Sequence, residues 1–258
     1  IKTLGGKIML NQTDLYCFSP TGGTKKVGYE FAQAVSKKVN FIDLAGDCNN
    51  STESDLTVIA VPVFGGRIPA INSEKIKSLQ GSGKKAVTLV VYGNRDYEDA
   101  LLELNNSAKK SGFEIVASGA FIAQHSIVPE VGKGRPDAKD KEEIRAFAQK
   151  VMERMESGMK KEIIVPGNVP YKAEMNRLAT PISLSSCSLC KKCAVVCPVD
   201  AIHIQETVVT DPEKCILCMA CTSVCPEHAR VLPDALREGT EKMLSAFKTV
   251  RRENETFL

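Results

Sequence analysis

Short apolar runs alternate with amphipathic segments along the first 157 residues of the chain. Five runs have the length and composition of strands, and the segments between them carry apolar residues at helical spacing. In the first helical segment, Val27, Phe31 and Ala34 recur at intervals of three and four residues. The predicted strands are Leu15–Phe18, Val39–Ile42, Leu56–Val61, Ala86–Tyr92 and Glu114–Ala123, and the predicted helices lie near 25–37, 70–79, 98–111 and 138–157.

This alternation predicts a doubly wound α/β domain over residues 10–157. Strands that alternate with helices of this length form a parallel sheet with helices on both faces. The inner strands of such a sheet are buried on both sides and read as continuous apolar runs. LTVIAV at 56–61 and AVTLVV at 86–91 have this composition, so we expect a five-stranded parallel sheet.

The alternation of predicted strands and helices ends after residue 157. Four prolines and glycines, Pro166, Gly167, Pro170 and Pro181, predict an irregular linker over 158–182. A small cysteine-rich domain is predicted over 183–233. The remaining residues, 234–258, have the pattern of an amphipathic C-terminal helix with a polar end.

Composition narrows the class of protein without identifying it. The 258 residues carry a formal net charge of +3, which is too small to indicate a nucleic-acid partner or a membrane surface. The longest apolar runs are too short to span a bilayer, and no export signal is visible. Ten cysteines without such a signal favour a reducing, cytoplasmic setting over disulfides.

Eight of the cysteines form two copies of one motif. CSLCKKCAVVCPVDAI begins at residue 187 and CILCMACTSVCPEHAR begins at residue 215, 28 residues later, and every Cys and the Pro coincide. Both copies fit C-x2-C-x2-C-x3-C-P, the run that binds clusters in bacterial two-cluster ferredoxins. Two such copies are expected to pack together as a pseudo-symmetric pair.

The spacing of the motif predicts which thiolates share a cluster. Three cysteines two residues apart wrap one 4Fe-4S cluster, and the fourth supplies the last ligand of the other cluster. Zinc ribbons use separated CxxC pairs, so a structural zinc site fits this pattern less well. The segment resembles the two-cluster 4Fe-4S ferredoxin domain. The predicted ligands are Cys187, Cys190, Cys193 and Cys225 for one cluster and Cys215, Cys218, Cys221 and Cys197 for the second.

A loop of hydroxyl groups and glycines, SPTGGT, follows the first predicted strand at residues 19–24. It matches neither the Gly-Lys-Thr nucleotide loop nor the dinucleotide fingerprint. Backbone N–H groups at Gly22 and Gly23 and the hydroxyls of Ser19, Thr21 and Thr24 can bind a phosphate at the helix N-terminus. The alternative is a glycine-rich turn that binds nothing.

With this loop, residues 12–157 resemble a flavodoxin, and the resemblance implies FMN as the cofactor. In flavodoxins two further loops enclose the flavin ring, and they match PVFGGRIP at 62–69 and YGNRDYED at 92–99. The resemblance implies ring contacts from Phe64 and Tyr97, and a close backbone approach at the glycines of the first of these loops. His125, after the last strand, is expected to make structural hydrogen bonds. The implied FMN-binding residues are Ser19, Thr21, Gly22, Gly23, Thr24, Phe64, Gly65, Gly66, Gly93, Asn94 and Tyr97.

The whole arrangement is similar to the fused flavodoxin–ferredoxin proteins of anaerobic bacteria. That resemblance implies an electron-transfer flavoprotein that relays electrons between FMN, two 4Fe-4S clusters and external redox proteins. We expect loops 62–69 and 92–99 to lie near the cysteine repeats, either within one chain or across a homodimer. Two alternatives stay open: a redox or oxygen sensor or assembly module without flavin, and an enzyme that reduces a small substrate at the flavin.

Overall fold

A parallel sheet covered by helices forms the first part of the protein. The computed structural model describes residues 2–4, 7–46, 48, 53–159, 161–175 and 179–258. In chain order its first elements are β1 (Lys2–Leu4), β2 (Lys7–Cys17), α1 (Gly23–Val35), β3 (Ser36–Asp43), β4 (Leu56–Pro62), α2 (Ala70–Ser78), β5 (Lys85–Tyr92), α3 (Ala100–Lys110), β6 (Glu114–Ile122) and α4 (Ala138–Ser157).

The order of the parallel strands defines the fold. They run β3-β2-β4-β5-β6, and every neighbouring pair in this set is parallel. Numbered along the chain, this is the order 2-1-3-4-5 of flavodoxin-like sheets. The predicted α/β flavodoxin-like fold is therefore confirmed. Its topological switch point lies between β2 and β4, where ligands bind in open sheets of this kind.

Two apolar layers hold the helices against the sheet. Because side chains alternate along a strand, Leu15 and Cys17 of β2 pack in one layer and Tyr16 and Phe18 in the other. In the first layer Phe147 of α4 packs tilted against Phe31 of α1, with ring centroids 5.4 Å apart. Residues 56–61 of β4 are all buried, as expected for an inner strand covered on both faces.

The second part of the protein is a small α+β unit. Its elements are β7 (Ile182–Ser183), α5 (Lys192–Val195), β8 (Ile202–Ile204), β9 (Val208–Thr210), α6 (Ala220–Ser223), β10 (Arg230–Val231) and α7 (Asp234–Leu244); β11 (Glu255–Phe257) follows in the chain. β7 pairs with β10 and β8 with β9, both antiparallel. The short helices α5 and α6 occupy equivalent places in the two cysteine repeats. The predicted combination of a flavodoxin-like domain with a small α+β domain is thus present.

The C-terminal segment differs from the predicted helix over 234–258. The α-helix ends at Leu244, and β11 pairs antiparallel with β6 at the edge of the main sheet. With β1, which pairs antiparallel with β2, the sheet has seven strands in the described part of the chain. Periodicity alone does not reveal β11, because a three-residue edge strand is created by its pairing partner.

The linker packs on the first domain as an irregular strap, which we define as residues 161–175. The Asp99 carboxylate accepts hydrogen bonds from the backbone N–H groups of Asn168, at 2.8 Å, and Lys172, at 2.6 Å. Arg67 donates to the Lys172 carbonyl and lies over the Tyr171 ring, 4.9 Å from its centroid. None of the helices described here combines the length and apolar character that a membrane crossing requires.

Candidate functional site

A cavity of about 150 Å³ opens at the carboxyl ends of β2, β4, β5 and β6. This is the edge of the sheet where ligands of open α/β folds bind. The three loops that the sequence predicts to bind FMN all contribute to its wall, together with the loop after β6, the end of the strap and the second cysteine repeat. Residues from these segments that line it include Ser19, Thr21, Gly23, Thr24, Phe64, Gly65, Gly66, Tyr92, Gly93, His125, Ser126, Ile127, Met175, Leu217 and Cys218.

The loop 19–24 presents the N-terminus of α1 to this cavity. α1 begins at Gly23 without a side-chain cap on Gly22, and its first turn carries no acidic residue. Gly22 has φ +87°, which favours glycine, and the Ser19 hydroxyl accepts a hydrogen bond of 2.9 Å from the N–H of Lys25. The first N–H groups of a helix have no partner within it, so this end of the cavity fits an anion such as phosphate.

The loop 62–69 forms a tight turn beside the opening. Phe64 and Arg67 exchange two backbone hydrogen bonds of 2.8 and 3.2 Å across Gly65 and Gly66. Both glycines have positive φ, and a Cβ on Gly66 would lie 1.7 Å from the Glu98 carboxylate. The turn therefore needs glycine, and it leaves the partly buried Phe64 ring at the cavity wall.

Two predicted flavin contacts lie elsewhere in the structure. The Asn94 amide donates to the carbonyls of Phe247 and Val250, at 3.1 and 2.7 Å, and so holds the C-terminal segment. Tyr97 is buried against Tyr92, with ring centroids 5.4 Å apart, and its hydroxyl donates to Glu255 at 2.7 Å. Neither side chain lines the cavity, so the structure does not support their predicted contacts with the ring.

Gly93 and His125 are in contact, and no sequence pattern predicts this contact. A Cβ on Gly93 would lie 2.3 Å from Cδ2 of His125, so the imidazole packs directly on the glycine. Its Nδ1 accepts hydrogen bonds from the N–H groups of Ile127 and Val128, each 3.2 Å long. Burial, and then the charge of Arg95, lower the pKa of His125 to about 4. The ring is therefore neutral near pH 7, with its proton on Nε2.

Four thiols predicted to share a cluster surround one enclosed space. One cavity is lined by Cys197, Cys215, Cys218 and Cys221. Burial raises the pKa of Cys218 to about 12, with a smaller contribution from the neighbouring thiols and against a hydrogen bond from the backbone of Ala220. Cys197 thus lies with the three cysteines of the other repeat, as the motif predicts. The four thiol donors suit a 4Fe-4S cluster.

The first set of thiols is arranged in a related way. Cys187 packs beside Cys193, which is buried. Cys225 and Cys197 occupy equivalent positions in the two repeats, and each Sγ accepts a 3.3 Å hydrogen bond, from the N–H of Ala229 and of Ala201. In the described part of the chain, no three His, Cys, Asp or Glu side chains converge closely enough to hold a single metal ion.

A buried arginine lies between the two sets of thiols. The Arg230 side chain, which is 3% exposed, donates to the hydroxyls of Ser183 and Thr210, at 3.0 and 2.7 Å. It also approaches Cys221 Sγ to 4.0 Å. Burial raises the pKa values of Cys193 and Cys221, and the positive charge of Arg230 opposes that rise at both. The motif contains no signal for this residue, although Ile202 takes the equivalent place in the first repeat.

The two parts of the protein meet at the larger cavity. Cys218, one of the thiols around the enclosed space, also lines the cavity formed by the flavodoxin-like loops, as does Leu217. Loops 62–69 and 92–99 therefore lie beside the second repeat, as the sequence predicts. Both groups come from the same chain, so this arrangement requires no second copy.

Comparison with known proteins gives one family match and several solved structures of similar fold. Residues 186–243 match the family model of the 4Fe-4S dicluster domain. No curated protein sequence matches significantly. Solved structures that resemble the first part are a flavodoxin from Streptococcus pneumoniae TIGR4 (16% identity, 55% of this chain, 99% of that chain, TM-score 0.43) and rubredoxin oxygen:oxidoreductase from Desulfovibrio gigas (15%, 58%, 37%, 0.44). A flavodoxin mutant from Fusobacterium nucleatum, bound to flavin mononucleotide, matches at 12% identity over 59% of this chain and 99% of that chain, with a TM-score of 0.40.

The topology and the family match together define the class of protein. The chain joins a flavodoxin-like α/β domain to a 4Fe-4S ferredoxin domain. It is accordingly a redox protein of the electron-transfer type.

Proposed function

We propose that this protein relays electrons between FMN, two 4Fe-4S clusters and external redox proteins. The observation that carries the proposal is the shared cavity: Cys218 of the second thiol set and the loops after β2, β4 and β5 line the same space. When bound, FMN exchanges one or two electrons, and each cluster supplies one-electron chemistry. The chain would hold these cofactors in position, set their environment and control the access of redox partners to them.

The residues at the cavity fit FMN in two respects. The N-terminus of α1 and the hydroxyls of Thr21 and Thr24 suit the phosphate. Phe64, Met175 and the backbone at Gly65 and Gly93 form the wall available to the ring. We therefore assign this space to FMN and retain Ser19, Gly22, Gly23 and Gly66 as parts of its loops.

We assign the clusters as the motif predicts, each with three cysteines from one repeat and the fourth from the other. The cavity shared by Cys197 with Cys215, Cys218 and Cys221 supports this for the second cluster. Cys187, Cys190, Cys193 and Cys225 are assigned to the first. The order of cofactors along the molecule is then FMN, the second cluster and the first cluster.

The proposal is tested by cofactor analysis and by rapid kinetics. Anaerobically purified protein should contain about eight iron and eight sulfide per chain, and one FMN. Flash reduction of the flavin should be followed by cluster reduction at a rate that does not depend on protein concentration. Protein that binds clusters but no added FMN would instead favour a sensor or assembly module, and turnover of a small substrate would indicate an enzyme.

A pair of cysteine variants tests the ligand assignment. Cys197→Ala should damage the second cluster and the flavin-to-cluster step, because its thiolate is expected to complete that cluster. Cys17→Ala is the matched control, since burial raises the pKa of Cys17 to about 12 and its thiol lies in the apolar layer of α1. Equal iron contents and spectra in the two variants would contradict the assignment.

A further inference from the structure

The two cysteine repeats have the same motif but very different surroundings. Every residue from 187 to 192 is more exposed than its counterpart 28 positions later, from 215 to 220. Leu189 is 37% exposed and Leu217 8%. Cys190 is exposed, whereas Cys218 is partly buried. The two loops therefore have the same cysteine spacing, but residues 215–220 form a covered loop and residues 187–192 form a free loop.

The covered loop contacts the flavodoxin-like domain through apolar side chains. Leu217 and Met219 are buried with Leu232, and Ile127 of the flavodoxin-like domain packs against them. The neighbouring Ile216 packs against the core of that domain. The second repeat thus meets a redox domain through apolar residues that surround the ligand Cys218.

The free loop has the same apolar centre but a different charge. Lys191 and Lys192 occupy the places of Met219 and Ala220. Among the described residues no carboxylate forms an ion pair with either lysine. Leu184, Leu189 and Val195, which are close to them in the sequence, are also exposed, Val195 to 83%. We define these residues, with Cys190, as the first-repeat face. An exposed apolar patch with unpaired charges is typical of an interaction site.

We propose that the first-repeat face is the docking surface for an external electron-transfer protein that carries carboxylates around its own cofactor. This inference rests on the proposed function, since the face surrounds a predicted ligand of the outer cluster. Paired lysines favour an acidic partner and steer its approach. A second copy of this chain fits less well, because a two-fold contact through this face would bring like charges together.

A variant that copies the second repeat tests the proposal. In Lys191→Met/Lys192→Ala the free loop acquires the residues of the covered loop. Lys191 has φ +66° and Met219 has φ +64°, so the backbone tolerates methionine there. The matched control is Lys141→Ala/Lys150→Ala, which removes two exposed charges from α4. Iron, sulfide, FMN and the flavin-to-cluster rate should be unchanged in both variants.

The probe is an oxidised rubredoxin of net negative charge, mixed with the dithionite-reduced protein. One electron leaves the chain and converts the ferric iron of the rubredoxin to ferrous. For wild type and the α4 control, the second-order rate should fall as salt is added. In the loop variant it should be roughly tenfold lower at low ionic strength and nearly independent of salt. A basic cytochrome c should show no such loss.

Carbodiimide cross-linking supplies a readout that does not depend on electron transfer. It joins lysine to carboxylate, so mass spectrometry should locate the cross-link to rubredoxin at Lys191 or Lys192. Equal rates and salt dependence in wild type and loop variant, or cross-links elsewhere, would overturn the docking proposal while leaving the relay intact. A self-association that the loop variant abolishes would also overturn it. Failure of the relay itself would be seen separately, as an absence of flavin-to-cluster transfer.

Discussion

Arg230 is a single residue with influence on both sets of thiols. Its guanidinium is buried and charged, and it lies close enough to lower the pKa values of Cys193 and Cys221 against the effect of burial. A fixed positive charge in a medium of low dielectric stabilises the more negative state of a nearby redox centre. The two hydroxyls that accept from it, on Ser183 and Thr210, keep it in place without neutralising it.

Replacing this charge should therefore change the cluster potentials. Arg230→Gln is expected to lower the reduction potential of at least one cluster by roughly 60 mV, the equivalent of a tenfold change in a one-electron equilibrium. Redox titration followed by electron paramagnetic resonance measures the shift. Arg230→Lys, which keeps the charge, should recover most of it. A potential that is unchanged or higher in the glutamine variant would show that the charge does not act on the clusters.

The contribution of the phosphate-loop hydroxyls to FMN affinity should also be measurable. Thr21→Val/Thr24→Val is expected to weaken FMN binding, because each lost hydrogen bond to a charged phosphate costs about 1.5–3 kcal/mol. The control is Thr13→Val, the same change at a buried hydroxyl that has no hydrogen-bond partner in the described structure. Flavin fluorescence titration gives both affinities. Equal affinity in the double variant and the control would place the phosphate elsewhere.

For single residues, the sequence indicates which thiols lie together more clearly than it indicates the contacts of individual side chains. The cysteine motif specifies which thiols belong together, because the chain itself sets the distances between them. Phe64 lines the cavity as expected, whereas Asn94 and Tyr97 are committed to the C-terminal segment. That segment is more than 150 residues away in sequence, so no local pattern reveals it. His125 makes the expected structural hydrogen bonds and also lines the cavity, which only its packing on Gly93 shows.

Among the elements, the strap depends on one buried carboxylate. Asp99 is 3% exposed and accepts hydrogen bonds from two backbone N–H groups and the Asn168 side chain. Burial pushes the pKa of Asp99 upward, but these hydrogen bonds prevail and hold it below its usual value. The pKa is thus lower in the folded state. Asp99 consequently stabilises the strap above the unfolded pKa, about 3.9, and this contribution is lost as the pH falls through the lower folded value.

Removing this carboxylate should release the strap. Asp99→Ala is expected to increase proteolysis within 161–175 and to reduce stability by about 1.5–3 kcal/mol for each unreplaced hydrogen bond to the charged group. Glu162→Ala provides the comparison, because its exposed ion pair with Lys109 also holds the strap but should contribute little. Limited digestion followed by mass spectrometry locates the cuts. Identical digestion patterns in both variants would mean that other contacts suffice.

The elements that the sequence predicts are those with a strong period. Five parallel strands and four helices appear near their predicted positions because buried strands and amphipathic helices impose their own patterns. β11 is different: Glu255–Phe257 is short and polar, and it is a strand only because β6 offers an open edge. The Ile122 N–H and the Asn254 side chain pair at 2.9 Å beside it. A segment of this kind is determined by its partner and not by its own composition.

For the whole molecule, the return of the C-terminus means that the ferredoxin domain is held from both ends. The strap enters it on one side, and the segment after Leu244 leads back to the flavodoxin-like domain. There Arg251 pairs with Asp137, Arg135 donates to the Arg252 carbonyl, and β11 extends the sheet. Two attachments restrict the second repeat to one position beside the cavity. The geometry of the relay should then not depend on an unbroken linker.

Cutting the chain at each attachment tests this. A protease site inserted after the exposed Gly158 should allow a nick that leaves flavin-to-cluster transfer within about twofold of the intact rate, because the fragments stay associated. Nicking a variant that ends at Val250 and carries Asp99→Ala removes the second attachment, releases the strap, and lowers the effective concentration, up to about millimolar, that they maintain. In that protein transfer should slow on dilution, whereas the same truncation without the nick should not show this dependence. Flash reduction at two protein concentrations distinguishes the cases. A nick alone that makes transfer concentration-dependent would show that the linker, and not the returning strand, holds the two domains together.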